Sequence, residues 1–509
     1  MSIKNESSSS YNSAKIWQLF LYPAGRAGHI AFMVLASFLS FYATGVAGLG
    51  VVLVSTILTG ARIFDGITDP LTGLLIDKTN GKFGKARPWI VGGYLLMTVC
   101  VLIIFYTTHL VPESIRLVYF VVIYFIYMLG FGAVGTTIAA TEPILTNDPK
   151  QRPMVTGIGL IYTSILMSFM GMLTAQLAGK HGGLNNPGFF QELVTYVLII
   201  ATILLSCTII AIWSKDRSEN FNISKKNKMK FKDMWLILKD NRPLQLFIVT
   251  GATDKLAMQI AGNQVINVML FGIIIGNFEM SGVMATLVLV PNILTLVYGM
   301  RLAGKLGTKK AYITVTRVAI LLSVMCILLL VFGNPREIGF DNIGFMTIAF
   351  VILFIALGAV RNLTMMCSAP MIPDIIDYEN YRTGRFAPGV IASVYSFIDK
   401  SISSFQTFLV GLALAAIGFR EAFPDIDTPY SEGIFVVTLF LAYGVLIIGW
   451  IISLICMKFY PLDKERMAEI QEELKARIEI TNKENDDNKN IKTETKEQNV
   501  KTETKKQMA

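Results

Sequence analysis

The sequence predicts an all-α membrane protein, with twelve transmembrane helices in two pseudo-symmetric six-helix bundles. The chain is 53% hydrophobic and only 16% charged, where soluble domains carry about 25% charged residues. A membrane span takes about 20 apolar residues. Such stretches fall near 28–48, 51–76, 88–108, 115–145, 154–178, 192–213, 243–275, 280–303, 311–333, 342–373, 388–418 and 433–458. A hydrophilic stretch divides them six and six. The expected layout is an N-terminal segment 1–27, a bundle 28–214, a linker 215–242, a second bundle 243–460 and a charged tail 461–509.

In chain order, the N-terminal segment lacks a compact apolar core with a small-residue cleavage site, so no cleaved leader is expected. Span 1 carries His29 near its start, placed either at a central cavity or at an inner gate. Span 2 reads VVLVSTILTGARIFDGITDPLTGLLI and holds Arg62, Asp65 and Asp69. At about 100° per residue these three share an arc of roughly 60° on one helix face. An ionised carboxylate at bilayer depth is costly and faces the bundle interior, where such groups mark ion or substrate paths. The pattern points to a cation-coupling site; a charge-compensated cluster that merely holds helices together is the bland alternative.

The linker holds Lys215, Arg217, Lys225, Lys226, Lys228, Lys230, Lys232, Lys239 and Arg242. Lys and Arg gather in the loops after even-numbered spans, which places those loops and both termini in the cytoplasm of a multi-pass plasma-membrane protein. This bias accounts for the net charge of +9 and implies attraction to anionic membrane lipids. No stacking or base-reading groups accompany it, so nucleic acid is not expected as a partner.

In the second half, span 7 sets Lys255, Gln259, Asn263 and Asn267 in an i, i+4 ladder drifting about 40° per step. Span 10 aligns Arg361, Thr364 and Ser368, and span 11 aligns Ser393, Ser396, Lys400, Ser404 and Thr407. At about 1.5 Å per residue, Asp65 and Lys400 lie roughly 20–22 Å into their spans and Arg361 about 18 Å into its own, all near mid-bilayer. Asp254 and Asp399 sit about 100° around their helices from the neighbouring lysines and are expected to pair with adjacent helices. Cys100, Cys207, Cys326, Cys367 and Cys456 stand singly in or beside apolar spans, without metal-site spacing, and read as packing residues. The tail, with KTETK at 492–496 and 501–505, has the composition of disordered chain, with a short helix expected near 463–480.

Two sequence echoes suggest duplication: GLLIDKTNGKFGKARPW (73–89) against GMRLAGKLGTKKAY (299–312), and EPILTNDPKQRPMVTG (142–157) against APMIPDIIDYENYRTGRFAPG (369–389). Parallel six-helix halves with the site between them are how rocker-type transporters are built. Asp65-Gly66-Ile67-Thr68-Asp69-Pro70, Gly73, Asp77 and Gly84-Lys85-Ala86-Arg87-Pro88-Trp89 resemble the second-helix signature of the glycoside–pentoside–hexuronide:cation symporters, the melibiose-permease-like branch of the major facilitator superfamily. Pro373-Asp374-Ile375-Ile376-Asp377-Tyr378-Glu379, Thr383-Gly384-Arg385 and Lys400 resemble its second signature. The resemblance covers roughly 15–458. It implies the major facilitator fold and symport of a sugar or glycoside with H+ or Na+, with Asp65 and Asp69 as cation ligands and Lys400 beside them. The chain departs from the family at the sugar contacts: His29 replaces a helix-1 aspartate, Gly135 and Ala139 an Asp-x-x-x-Trp pair, Leu160 an arginine, and Gly132 a threonine near the cation.

The expected function is therefore cation-coupled symport by alternating access, by a monomer without a cofactor. The expected substrate set is Arg62, Lys400, Arg361, Ser396, Thr364, Lys255, Gln259, Asn263 and His29, and a hexuronide-like anion is suggested by Arg361. Asp77, Lys85, Arg87, Asp374, Asp377, Arg382 and Arg385 lie at cytoplasmic helix ends and are expected to act as an inner gate. A lysolipid or amphiphile transporter on the same scaffold, or a non-transporting sensor, is the alternative. An enzyme is not expected, since no nucleophile–base grouping or metal cluster is seen.

Overall fold

The computed structural model describes residues 13–79, 83–146, 148, 151–216, 238–341, 343–384 and 388–477. Its long helices are α1 (Ile16–Val46), α2 (Val51–Lys78), α3 (Arg87–Thr107), α4 (Glu113–Leu145), α5 (Gln151–His181) and α6 (Pro187–Ile212), then α7 (Arg242–Ala261 with Gln264–Ile275), α8 (Glu279–Leu287 with Leu289–Leu306), α9 (Thr308–Phe332), α10 (Phe345–Ser368, bent into Met371–Thr383), α11 (Pro388–Ser404 with Gln406–Ala416) and α12 (Glu432–Phe459). Among the described residues nine are long and apolar enough to cross a membrane, and bent α7 makes ten. The other two expected spans, α8 and α11, are interrupted at Val288 and Phe405.

Two bundles emerge from the packing. Within the first half α1 meets α5 and α6, α2 meets α4, and α3 meets α4 and α6. Within the second, α7 meets α11 and α12, α8 meets α10, and α9 meets α10 and α12. Adding six to each helix number of the first set gives the second. Across the halves the same rule pairs α2 with α11 and α8 with α5. This is the packing of a parallel six-helix repeat, and the loop echo read from the sequence has a matching geometry. Gly84 and Gly307 each take positive φ, 87° and 81°, just before α3 and α9, a backbone that glycine adopts without strain.

Local chemistry fixes the helix starts. Asn186, Asn241 and Ser431 accept the backbone N–H of Gly188, Leu244 and Ile434, capping α6, α7 and α12, and Pro187 and Pro243 occupy first-turn positions that need no donor.

At its N-terminal side the expected layout needs one correction. The N-terminal segment is not separate from the first bundle. Helical Ile16–Leu21 folds against α6, with buried Gln18 donating to the Ala211 carbonyl at 2.7 Å. In the tail, the short helix expected near 463–480 lies over 464–477. It buries Met467 and Ile470 in a cluster with Tyr312, Val315 and Ile375, while Arg466 and Arg477 stack on the Tyr381 ring. Met467, Ile470 and Leu474, three and four residues apart, supply its apolar stripe. Residues 478–509, like 217–237 of the linker, lie outside the described residues. The five cysteines are free, three buried and two half-buried.

Candidate functional site

The halves enclose a cavity of about 420 Å³, lined among others by Arg62, Asp65, Tyr124, Phe131, Gln259, Asn263, Lys400, Gln406 and Thr407. Its size falls in the usual range for small-molecule sites, about 300–1,000 Å³. One wall is an aromatic column on α4, where the rings of Phe120, Tyr124, Tyr127 and Phe131 follow one another at 5.9–6.0 Å. The opposite wall, from α7 and α11, is built of amides and hydroxyls.

The charged floor comes from α2. Its helical register turns Arg62, Asp65 and Asp69 to the same side, as the spacing requires. Lys400 of α11 forms an ion pair with Asp69, joining the two halves. Thr136 of α4 donates to the other Asp69 oxygen at 3.3 Å. Asp65 Oδ1 is buried without a hydrogen-bond partner, the more expensive condition for a carboxylate oxygen. Gly132 lies against both acids: a Cβ placed there would stand 3.0 Å from an oxygen of each. The missing side chain leaves the space in which the two carboxylates approach.

Sequence reasoning missed Thr136. Its signal was available, since Gly132 and Thr136 are one helical turn apart on the face that meets α2.

Other expected site residues lie elsewhere. Lys255 does not reach the cavity; it pairs with Asp399. That is the cross-helix pairing expected of Asp399. Asp254 instead accepts from Tyr312 and Ser453 inside the second bundle. Arg361 also lies outside the lining, and its guanidinium donates to the Met258 carbonyl of α7 at 3.2 Å. Arg361 pairs with neither Asp399 nor Asp254, since both acids have other partners. Thr364 is turned back on its own helix, donating to the Arg361 carbonyl at 2.7 Å. Ser396 is exposed and away from the lining. His29 sits behind the aromatic column, bonded to the Phe131 carbonyl at 3.0 Å and packed on Gly135. It is therefore at neither the cavity surface nor an inner gate. The common physical reason is that helical spacing gives a side chain's direction but not which neighbouring helix stands there.

Near the described ends of the chain, Arg87 pairs with Asp216 at 3.1 Å, and Asp216 also accepts the backbone N–H groups of Lys85, Ala86 and Arg87. Asp374 accepts from Thr308 at 3.0 Å, and Arg382 pairs with Glu379, which Asn241 also reaches. These contacts stay within one half. Asp377 is half-buried on α10; the Asp77 side chain and Arg385 lie outside the described residues.

The opposite face is closed by contacts between halves. Asp425, in the α11–α12 loop, accepts the N–H groups of Leu184 and Asn185 from the α5–α6 loop at 2.9 and 3.0 Å. Phe423 packs on Phe41, and Val51 N–H donates to the Arg420 carbonyl at 2.8 Å.

The family model for MFS/sugar transport proteins matches residues 21–464. The chain belongs to this family. It is a transporter of the major facilitator superfamily, and the resemblance to the glycoside–pentoside–hexuronide:cation symporters drawn from its two signatures holds. Among its relatives, the inner membrane symporter YicJ of Escherichia coli (strain K12) is 24% identical over 459 residues, covering 88% of this chain and 92% of that one. The isoprimeverose transporter of Lactiplantibacillus pentosus is 23% identical over 451 residues, 86% of this chain and 87% of its own. A solved bacterial homologue of the human lysosomal transporter Spinster, inward-facing and unoccupied, superposes with a TM-score of 0.60 at 11% identity, over 90% of this chain and 99% of that one.

Proposed function

We propose that this transporter is a cation-coupled symporter of a sugar or glycoside, working by alternating access. The observation that carries the reading is the pair Asp65 and Asp69: one acid is neutralised from the opposite half by Lys400, and the other keeps a buried oxygen without a partner. A cation, H+ or Na+, completes Asp65. Cation binding cancels a charge that closure would otherwise bury, so loaded and empty sites isomerise at different cost. The names of its relatives support sugar as the cargo, and the amide and hydroxyl wall opposite the aromatic column suits a polyhydroxylated ring. That polar wall also disfavours a lysolipid as cargo.

An acidic sugar is supported by Arg62 rather than by Arg361. Arg62 lines the cavity and forms no ion pair among the described residues, and a guanidinium fits a carboxylate in two-pronged fashion. The basic loops beside the chain ends support cytoplasmic termini in the plasma membrane.

The test is transport in vesicles under imposed Na+ or H+ gradients. Asp65→Asn should abolish accumulation against a gradient while keeping substrate counterflow, since Asn mimics the neutralised acid. Undiminished concentrative uptake in that variant would refute the assignment. Competition by glycuronides against neutral glycosides, in wild type and in Arg62→Gln, tests the acidic-sugar reading.

A further inference from the structure

The α7 helix is broken where it meets the cavity. Its first segment stops at Ala261, Gly262 follows, and Asn263 starts the next segment by accepting the Val265 N–H at 2.9 Å, with a bend of 46°. α11 is broken at the same level, at Phe405, and its second segment starts with Gln406. The two breaks face each other. Asn263 Nδ2 donates to Gln406 Oε1 at 2.9 Å, and Gln406 Nε2 donates to Thr407 at 2.6 Å. Broken helices at the centre of transporters place polar groups where the cargo binds.

Behind the break stands Arg361. The Met258 carbonyl already accepts the Gly262 N–H at 2.9 Å, and the Arg361 guanidinium adds a second donor at 3.2 Å. Arg361 forms no ion pair among the described residues, so its recorded contact is with the last turn before the break.

We propose that the amides of Gln259, Asn263, Gln264 and Gln406 form the wall that reads the hydroxyl groups of the cargo, and that Arg361 is a positioning residue that holds this wall from behind. The proposal rests on the sugar reading above and adds which groups select the sugar. Gln259 and Gln264 line the cavity, and their side-chain amides make no hydrogen bond among the described residues. Each offers two donors and an acceptor, a match for hydroxyls that both give and take hydrogen bonds. Asn263 and Gln406 are pre-ordered by one another and each keeps one amide hydrogen to spare. A site built to bond a hydroxyl rejects an analogue that lacks it, because its own polar groups are then left unpaired.

Counterflow by full-length protein in vesicles, with one transported glycoside and its single-deoxy analogues, tests this. Wild type should prefer the parent over at least one deoxy analogue by tenfold or more in KM. In Gln406→Leu and Asn263→Leu that ratio should fall toward one, while the cation:substrate stoichiometry is unchanged. The ratio does not depend on how much protein folds. Arg361→Gln should raise KM about tenfold for neutral and acidic cargo alike with the maximal rate within twofold, and Arg361→Lys, which can still donate to Met258, should recover most of it. Unchanged deoxy ratios in both Leu variants overturn the wall. A loss confined to acidic cargo in Arg361→Gln overturns the positioning role, because Arg361 would then touch the cargo. A wild type that carries no polyhydroxylated cargo overturns the sugar reading itself.

Discussion

Replacing Asp425 with Ala should open the face of the transporter that lies away from its termini. The Asp425 carboxylate is nearly buried, 9% exposed, and joins the halves through the N–H groups of Leu184 and Asn185. A hydrogen bond to a charged group contributes about 1.5–3 kcal/mol net. Two such bonds are broken when the halves part, and because they share one carboxylate their contributions do not simply add. The expected shift is on the order of 2–4 kcal/mol toward the state open on that face, roughly 30- to 900-fold in the equilibrium at about 1.36 kcal/mol per decade. Asp425→Asn, which keeps an acceptor but no charge, should shift it by about half as much. Gly183 provides an independent perturbation: it holds φ of 118° and a Cβ there would stand 2.7 Å from Asp425, so Gly183→Ala should act in the same direction. The assay is a single cysteine at Thr407 in a variant lacking the five native cysteines, labelled by a membrane-impermeant thiol reagent from the outside. Labelling should accelerate at least tenfold in Asp425→Ala. A rate within twofold of the parent would show that these loops do not set the outer closure.

Lys400→Gln should destabilise the protein by about 1–2 kcal/mol, since the Asp69 carboxylate loses its partner at a site that is only partly buried, and adding Asp69→Asn should recover much of that; thermal unfolding in detergent reports both. Asp216→Ala removes the acceptor of three backbone N–H groups and of Arg87, and should cost at least about 2 kcal/mol, read as a lower melting temperature with the cation dependence of transport retained. Truncation after residue 477 should leave transport per molecule unchanged, whereas truncation after 463 removes Met467 and Ile470 from their cluster and should lower the melting temperature and abundance.

How legible was this molecule in its sequence? The fold was, because twelve apolar stretches and a basic linker leave little choice of architecture, and the two glycine-bearing loops after α2 and α8 betray the repeat. The acid pair was legible for a local reason: Arg62, Asp65 and Asp69 belong to one uninterrupted helix, where spacing fixes direction. Lys255, Arg361 and Thr364 show the limit. Each has the periodicity of a cavity residue, but a nearer partner holds its side chain: Asp399 for Lys255, the Met258 carbonyl for Arg361 and the Arg361 carbonyl for Thr364. The partner that took Lys255 was on α11, and no periodicity within α7 could have named it. The 464–477 helix lies within the stretch where a short helix was expected; what its charged composition did not tell is that Met467 and Ile470 dock it on the second bundle.

The position of the Lys400–Asp69 pair bears on how coupling would work. It lies at the contact of α2 with α11, a helix pair that joins the halves. If the halves rock about the central site as proposed, helices at that seam change their relation, and the pair is strained or broken in one of the two states. Asp65, one turn away on α2, stays on the same half whatever the state. A cation delivered to Asp65 therefore changes the field at Asp69 without itself crossing the seam, weakening the attraction for Lys400 and lowering the cost of parting the halves. On the proposed reading, the coupling step is this competition between a mobile cation and a fixed one for a single pair of acids. Arginine at position 400 separates the two roles of the residue. Lys400→Arg keeps the fixed charge but spreads it over a planar group. It should preserve the melting temperature while changing the cation concentration that half-saturates uptake; an unchanged cation dependence would place the coupling elsewhere.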